Sequence, residues 1–237
     1  MHVTILTLFP NVFPGSLGVS LIGKALEEGV FTLDIVDLKK FSIKGGRVDG
    51  PPCGGGCGML LSPEVLEAAL ASLPSPISSG ERKFIYPSPR GELLSQKIAY
   101  NLSKLQDIVI LCGRYEGIDA RILEKYSFVE MSVGDYVLMG GEVAAMALIE
   151  ASVRLIPGVV GAPDSLREDS FVVSSAPLLE YPQYTHPVQW NEYSVPPVLL
   201  SGHHEAIHQW RLAEARTITR TQRPDLWNQY VARALGE

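Results

Sequence analysis

The chain has 237 residues, enough for one large domain or two smaller ones with a proper buried core. Hydrophobic residues make up 46% and charged residues 19%, and every apolar run is broken well short of a membrane span, so no membrane partner is expected. The net charge of −6 argues against a protein that coats nucleic acid nonspecifically, but leaves room for a local basic patch that grips a few phosphates.

His2–Phe9 is a β-branched, apolar run that reads as a first strand, with no basic-then-apolar leader ahead of it; a cytoplasmic protein is expected. Ser16–Glu28 has helical spacing and a glycine stop at Gly29, and Phe31–Leu38 alternates as a strand. Ser62-Pro63-Glu64 opens a second helix with a hydroxyl cap, a proline at the first helical position and then an acid. Lys83–Tyr86, Asp107–Cys112 and Phe128–Val133 read as further strands, with helices at Glu92–Lys104 and Asp119–Tyr126 between them. A helix from Glu142 to Leu155 closes this region. Strands separated by helices imply an α/β fold with a mainly parallel sheet covered on both faces. Residues 161–170 are polar, with Gly, Pro and mixed charge, and read as a mobile linker at a domain boundary. Residues 171–200 are rich in proline and aromatics, and the chain from about His204 is helical and carries five arginines.

Two glycine-bearing loops follow strand-like runs: Cys112-Gly-Arg-Tyr-Glu-Gly117 and the longer stretch from Ser132 to Glu142. Glycine is favoured where a backbone takes φ > 0 or lies against a ligand, so these loops suggest a main-chain grip on a flat, polar small molecule. Tyr86-Pro-Ser-Pro-Arg-Gly91 is either a rigid turn or a third ligand loop. Loops leaving three successive strands can converge on one crevice, the usual ligand site of an open α/β sheet. The glycine cluster at 47–58 lacks the Lys-Ser/Thr of a P-loop and is not a GxGxxG directly after a strand; it reads as a surface or functional loop.

Three cysteines, an odd number, do not make a disulfide framework, and Cys53, Cys57 and the distant histidines lack the spacing of a zinc site. Glu116, Asp135, Asp164, Glu168 and Asp169 are candidate general bases. Asp169-Ser170 stands apart because it ends the linker, where loop ordering could deliver it to a cleft. Arg154 is either a cation favoured at a helix C-terminus or a site residue. The aromatic segment 180–190 could stack on splayed bases or simply pack.

GGG-C-GM at 54–59, YPSPRG at 86–91, LCGRYEGID at 111–119, SVGDYVLMGGE at 132–142, REDSF at 167–171, LEYPQYTHP at 179–187 and LLSGHHEAIHQWR at 199–211 together resemble the bacterial tRNA (guanine-N1)-methyltransferases, a family of the knotted SPOUT methyltransferases. The resemblance implies a deep trefoil knot in an α/β domain over 1–160, a linker at 161–170 and a mostly helical tRNA-binding domain over 171–237. It implies a homodimer that uses S-adenosylmethionine to methylate N1 of the guanosine 3′ of the anticodon when another guanosine precedes it. The cofactor pocket would be Tyr86, Ser88 and Pro89; Gly113, Tyr115 and Glu116; and Val133, Gly134, Asp135, Tyr136, Val137 and Leu138 with Gly140 and Gly141. Asp169 matches the family's general base, Arg154 the residue that stabilises charge on guanine O6, and Ser170 a residue that holds the base. The resemblance also implies a dependence on Mg²⁺, although no metal-ligand spacing marks its site.

The sequence departs from the family pattern at Cys53, Cys57, Met139 and Ala144, which bears on the 51–58 loop and the start of the 142–155 helix. A non-catalytic RNA-binding module of the same fold is the alternative reading. The intact Asp169 and the Gly140-Gly141 pair separate the two. A nucleotide-binding enzyme of another kind would need a Rossmann or P-loop fingerprint, which is missing.

Overall fold

The computed structural model describes residues 1–43, 45–76, 82–161, 169–171 and 178–235. The chain divides into two compact units, Met1–Gly161 and Ala162–Glu237. The mobile linker expected at 161–170 lies mostly outside the described residues.

In the first unit, β1 (His2–Thr7) is followed by α1 (Ser20–Glu27), β2 (Thr32–Asp37), a two-residue antiparallel ribbon of β3 (Asp49–Gly50) and β4 (Leu60–Leu61), and α2 (Pro63–Ala71). Then come β5 (Lys83–Leu93), α3 (Gln96–Ser103), β6 (Asp107–Leu111), α4 (Ala120–Lys125), β7 (Val129–Ser132) and α5 (Glu142–Val153). Five strands form one sheet in the order β2-β1-β6-β5-β7, every neighbour pair parallel.

Alternation along the strands explains the two-sided cover. Ile108 and Ile110 face one core with Val3, Ile5 and Ile85, packed by Ala25 of α1, Leu102 of α3 and Leu148 and Ile149 of α5. Val109 and Leu111 face the other with Leu6 and Leu8, packed by Val65, Leu66 and Ala69 of α2 and Ile122 of α4. Strands buried on both faces read as continuous apolar runs, and all of β1 and β6 is buried.

Several boundaries differ from the sequence expectation. The helix expected at Ser16–Glu28 is a 3-10 turn at Gly15–Gly18, then an extended Val19, then α1, with Gly29 at φ 72 closing it. Ser62 stands at the N-cap of α2, but its hydroxyl donates to the Glu64 carboxylate at 2.5 Å rather than capping a backbone N–H.

The largest difference is at 86–93. These residues continue β5 beyond the expected strand end, and helix α3 starts only at Gln96, capped by Ser95. The strand bulges between Pro87 and Glu92, which both align with Met131 of β7. Two prolines cannot donate to a ladder, so the chain leaves the pairing and rejoins it. Gly91 makes the return possible: a Cβ there would fall 2.3 Å from the carbonyl carbon of Glu130.

The second unit holds a hairpin of β8 (Gln189–Trp190) and β9 (Tyr193–Ser194), then α6 (His204–Gln222) and α7 (Pro224–Leu235). The hairpin was not apparent from periodicity, since two-residue strands are too short to alternate. His203 caps α6, its Nδ1 accepting from the N–H of Ala206 at 3.1 Å. Pro224 separates the last two helices, and the Arg216 Nε donates to the Tyr230 hydroxyl at 2.8 Å between them.

Candidate active site

A cleft of about 230 Å³ opens at the carboxyl ends of β5, β6 and β7. Its walls are residues 86–89 of the β5 bulge, 113–117 after β6, and 131–134 with 136–141 after β7, closed by Ala144 of α5. The chain steps from β5 to β6 on one side and then to β7 on the other, the kind of reversal where open α/β sheets bind ligands.

Tyr86, Ser88, Pro89, Gly113, Tyr115, Glu116, Val133, Gly134, Tyr136, Val137, Leu138, Gly140 and Gly141 all line this cleft. Asp135 does not: its neighbours turn inward while it stays out of the wall. Arg154 caps the C-terminus of α5, its N–H donating to the Glu150 carbonyl at 3.2 Å, and it too is outside the lining. Asp169 and Ser170 belong to the second unit, where the Ser170 hydroxyl accepts from the N–H of Glu180 at 2.9 Å.

The walls are held by main-chain bonds. Gly141 N–H donates to the Gly113 carbonyl at 3.0 Å, and Glu116 N–H to the Met59 carbonyl at 3.0 Å, which ties the glycine-rich 51–59 loop to the cleft. Gly141 allows the first contact, because a Cβ there would lie 2.9 Å from Cys112 Cα. Tyr115 sits at φ 59, a left-handed conformation uncommon outside glycine and frequent where a site holds its backbone in place. Burial raises the Tyr86 phenol, with the Glu130 carboxylate adding to the effect and Arg90 opposing it.

Three residues that the sequence reading did not single out complete the architecture. Glu142, the first residue of α5, is buried at 2% exposure. Its Oε1 accepts from Thr7 Oγ1 at 2.8 Å and from Arg114 Nε at 3.1 Å, and its Oε2 pairs with Arg114 Nη2 at 2.9 Å. An acid is favoured at a helix N-terminus, but nothing in local sequence pairs it with an arginine 28 residues away.

Among the described residues, no group of three or more His, Cys, Asp or Glu could hold a metal ion, and no helix is long and apolar enough to cross a membrane.

With this geometry in view, the family model described as tRNA (Guanine-1)-methyltransferase TrmD matches residues 1–229. The chain belongs to this family. It is 47% identical over 234 residues to a tRNA (guanine-N(1)-)-methyltransferase of Rhodospirillum rubrum, covering 98% of this chain and 95% of the relative. Relatives of the same name from Ruegeria pomeroyi and Ehrlichia ruminantium strain Gardel are each 48% identical, covering 96% of this chain and 93% and 95% of theirs. Family membership therefore extends across both units, including the segment that carries Asp169 and Ser170.

Proposed function

We propose that this enzyme transfers a methyl group from S-adenosylmethionine to N1 of the guanosine 3′ of the anticodon in tRNA. The observation that carries the reading is the convergence of the three loops on one cleft in a chain that matches the methyltransferase family over residues 1–229.

The cleft suits the donor. Main-chain groups of 113–117 and 133–141 supply hydrogen bonds for an adenine edge, Tyr86 and Leu138 supply flat or apolar surface, and Glu116 offers a carboxylate for an ammonium group. When bound, S-adenosylmethionine supplies a methyl group activated on a sulfonium. The chain's own task is to free the acceptor. N1 of neutral guanine carries a proton, so its lone pair is unavailable until a base removes that proton. Asp169 is the carboxylate we assign to this step, with Arg154 stabilising the negative charge that moves toward O6 and Ser170 holding the base. The Mg²⁺ dependence that the resemblance implies is kept in this reading, since magnesium retains most of its waters and needs only one or two carboxylates with substrate phosphates rather than a protein-built cluster.

We assign the active form to a homodimer. Val137 and Met139 on the cleft's lip are 85% and 88% exposed, and Val143 and Val19 nearby in the same unit are also exposed, a cost that a second subunit would relieve. The trefoil knot that the resemblance implies is part of the same reading. A tRNA substrate supports a cytoplasmic location.

The test is methyl transfer to tRNA transcripts that carry the guanosine or a substitute. The guanosine transcript is expected to be methylated and the substituted one not. Asp169→Ala should lower kcat by about 10²–10⁴-fold while leaving S-adenosylmethionine binding intact. Transfer to the substituted transcript, or full activity in the variant, would contradict the mechanism; a protein that binds tRNA but never the donor would favour the non-catalytic module.

A further inference from the structure

The Arg114–Glu142 pair joins the two loops that form the cleft. Arg114 belongs to the loop after β6, and Glu142 ends the loop after β7 and begins α5. The guanidinium meets the carboxylate side-on, with one hydrogen bond from Nε to Oε1 and an ion-pair contact between Nη2 and Oε2, and its Nη1 donates to the Met139 carbonyl at 3.3 Å, on the exposed lip. Gly140 lies flush against it: a Cβ there would fall 2.3 Å from Arg114 Nε. The same guanidinium lies 4.4 Å from the centre of the Phe9 ring, and Thr7 Oγ1, which accepts from the N–H of Phe9 at 2.9 Å, donates to Glu142. One side chain thus bridges the end of β1, the 112–117 loop, the 134–141 loop and the first turn of α5.

The Glu142 carboxylate is buried while Arg114 stays partly exposed, and such a pair is a poor way to gain stability, since apolar groups of similar volume usually do as well. What it adds is geometry: a planar guanidinium accepts only a narrow set of positions for a carboxylate and a carbonyl at once. Both loops it joins are cleft walls, and their separation is the width of the cleft.

We propose that Arg114 and Glu142, braced by Thr7, are positioning residues that set the width of the donor cleft, and that affinity for the methyl donor depends on this clamp. The inference rests on the reading of the cleft as the S-adenosylmethionine site. Arg114 acts through the loop backbone and through Glu142, so its loss separates donor binding from the later step.

The experiment is calorimetric titration of S-adenosylmethionine into the full-length protein, alongside steady-state tRNA methylation. Arg114→Lys keeps the charge but loses the side-on contact, and should raise Kd and KM for the donor about tenfold while kcat at saturating donor and KM for tRNA stay within about twofold. Glu142→Gln keeps the Thr7 bond and an acceptor for Arg114, and should cost about threefold in donor Kd. The double variant should be clearly less than additive, as expected for residues acting through one contact. Lys125→Met, which breaks a surface ion pair with Glu67 between α4 and α2, should change none of these values. Unchanged donor Kd in Arg114→Lys would overturn the proposal, as would a fall in kcat and melting temperature together with a rise in both KM values. If the unaltered protein fails to bind S-adenosylmethionine, the reading of the cleft falls, and this inference with it.

Discussion

Cys112 shows how one position can be chemically quiet beside a reactive site. It is buried at the end of β6, and that burial, with the nearby Glu142 carboxylate, pushes its thiol well above the usual range against the opposing pull of Arg114. The thiolate is the reactive form, whereas Cys53 and Cys57 are exposed in the glycine-rich loop. A thiol reagent at neutral pH is expected to titrate Cys53 and Cys57 promptly and Cys112 only after denaturant is added; three fast thiols in the native protein would contradict this. At Gly141 the limit is steric. A Cβ would meet Cys112 Cα at 2.9 Å and Gly113 N at 3.1 Å, backbone atoms that cannot swing aside. Gly141→Ala should therefore cost about 1–3 kcal/mol in denaturant unfolding and weaken donor binding as well. Wild-type values for both would show that the loops have more room than these distances imply.

Among the elements, α5 and β5 matter most to the site. Helix α5 is apolar in composition but exposes one side at Val143, Ala147 and Glu150, while Ala145, Leu148, Ile149 and Val153 enter the core. Its N-terminus places Glu142 behind the cleft wall against Arg114, so its packing and the cleft's geometry are linked. Leu148, 1% exposed, should cost about 2–5 kcal/mol when cut to alanine, read as a lower denaturant midpoint at unchanged slope. Strand β5 is less regular. Its bulge over 88–91 exists because Pro87 and Pro89 withhold donors, and the bulge turns the Ser88 region into a wall of the cleft. The sequence reading placed a turn there but ended the strand too early, since a bulge that rejoins its ladder depends on β7, a partner some forty residues on.

For the molecule as a whole, the exposed apolar lip is the feature to test. Val137→Asp with Met139→Glu should shift sedimentation from dimer toward monomer and lower methylation in step, if each site needs both subunits. An unchanged dimer would remove the lip from the interface. The order and type of the main elements, the parallel sheet and most of the cleft's lining were legible in the chain itself. Strand alternation, glycine stops and loop words are local signals, and local signals survive without a fold. Asp135 was included through the family resemblance, and its neighbours line the cleft while it does not. Thr7, Arg114 and Glu142 were passed over because their meaning lies in contacts across 28 and 135 residues of chain. The sequence by itself determined the α/β class, the family and the loops that line the cleft, because spacing and residue type decide those. Only the tertiary structure decided the strand order, the bulge in β5 and the half-buried ion pair that joins the cleft walls, because each depends on which distant segments the core brings within hydrogen-bonding reach.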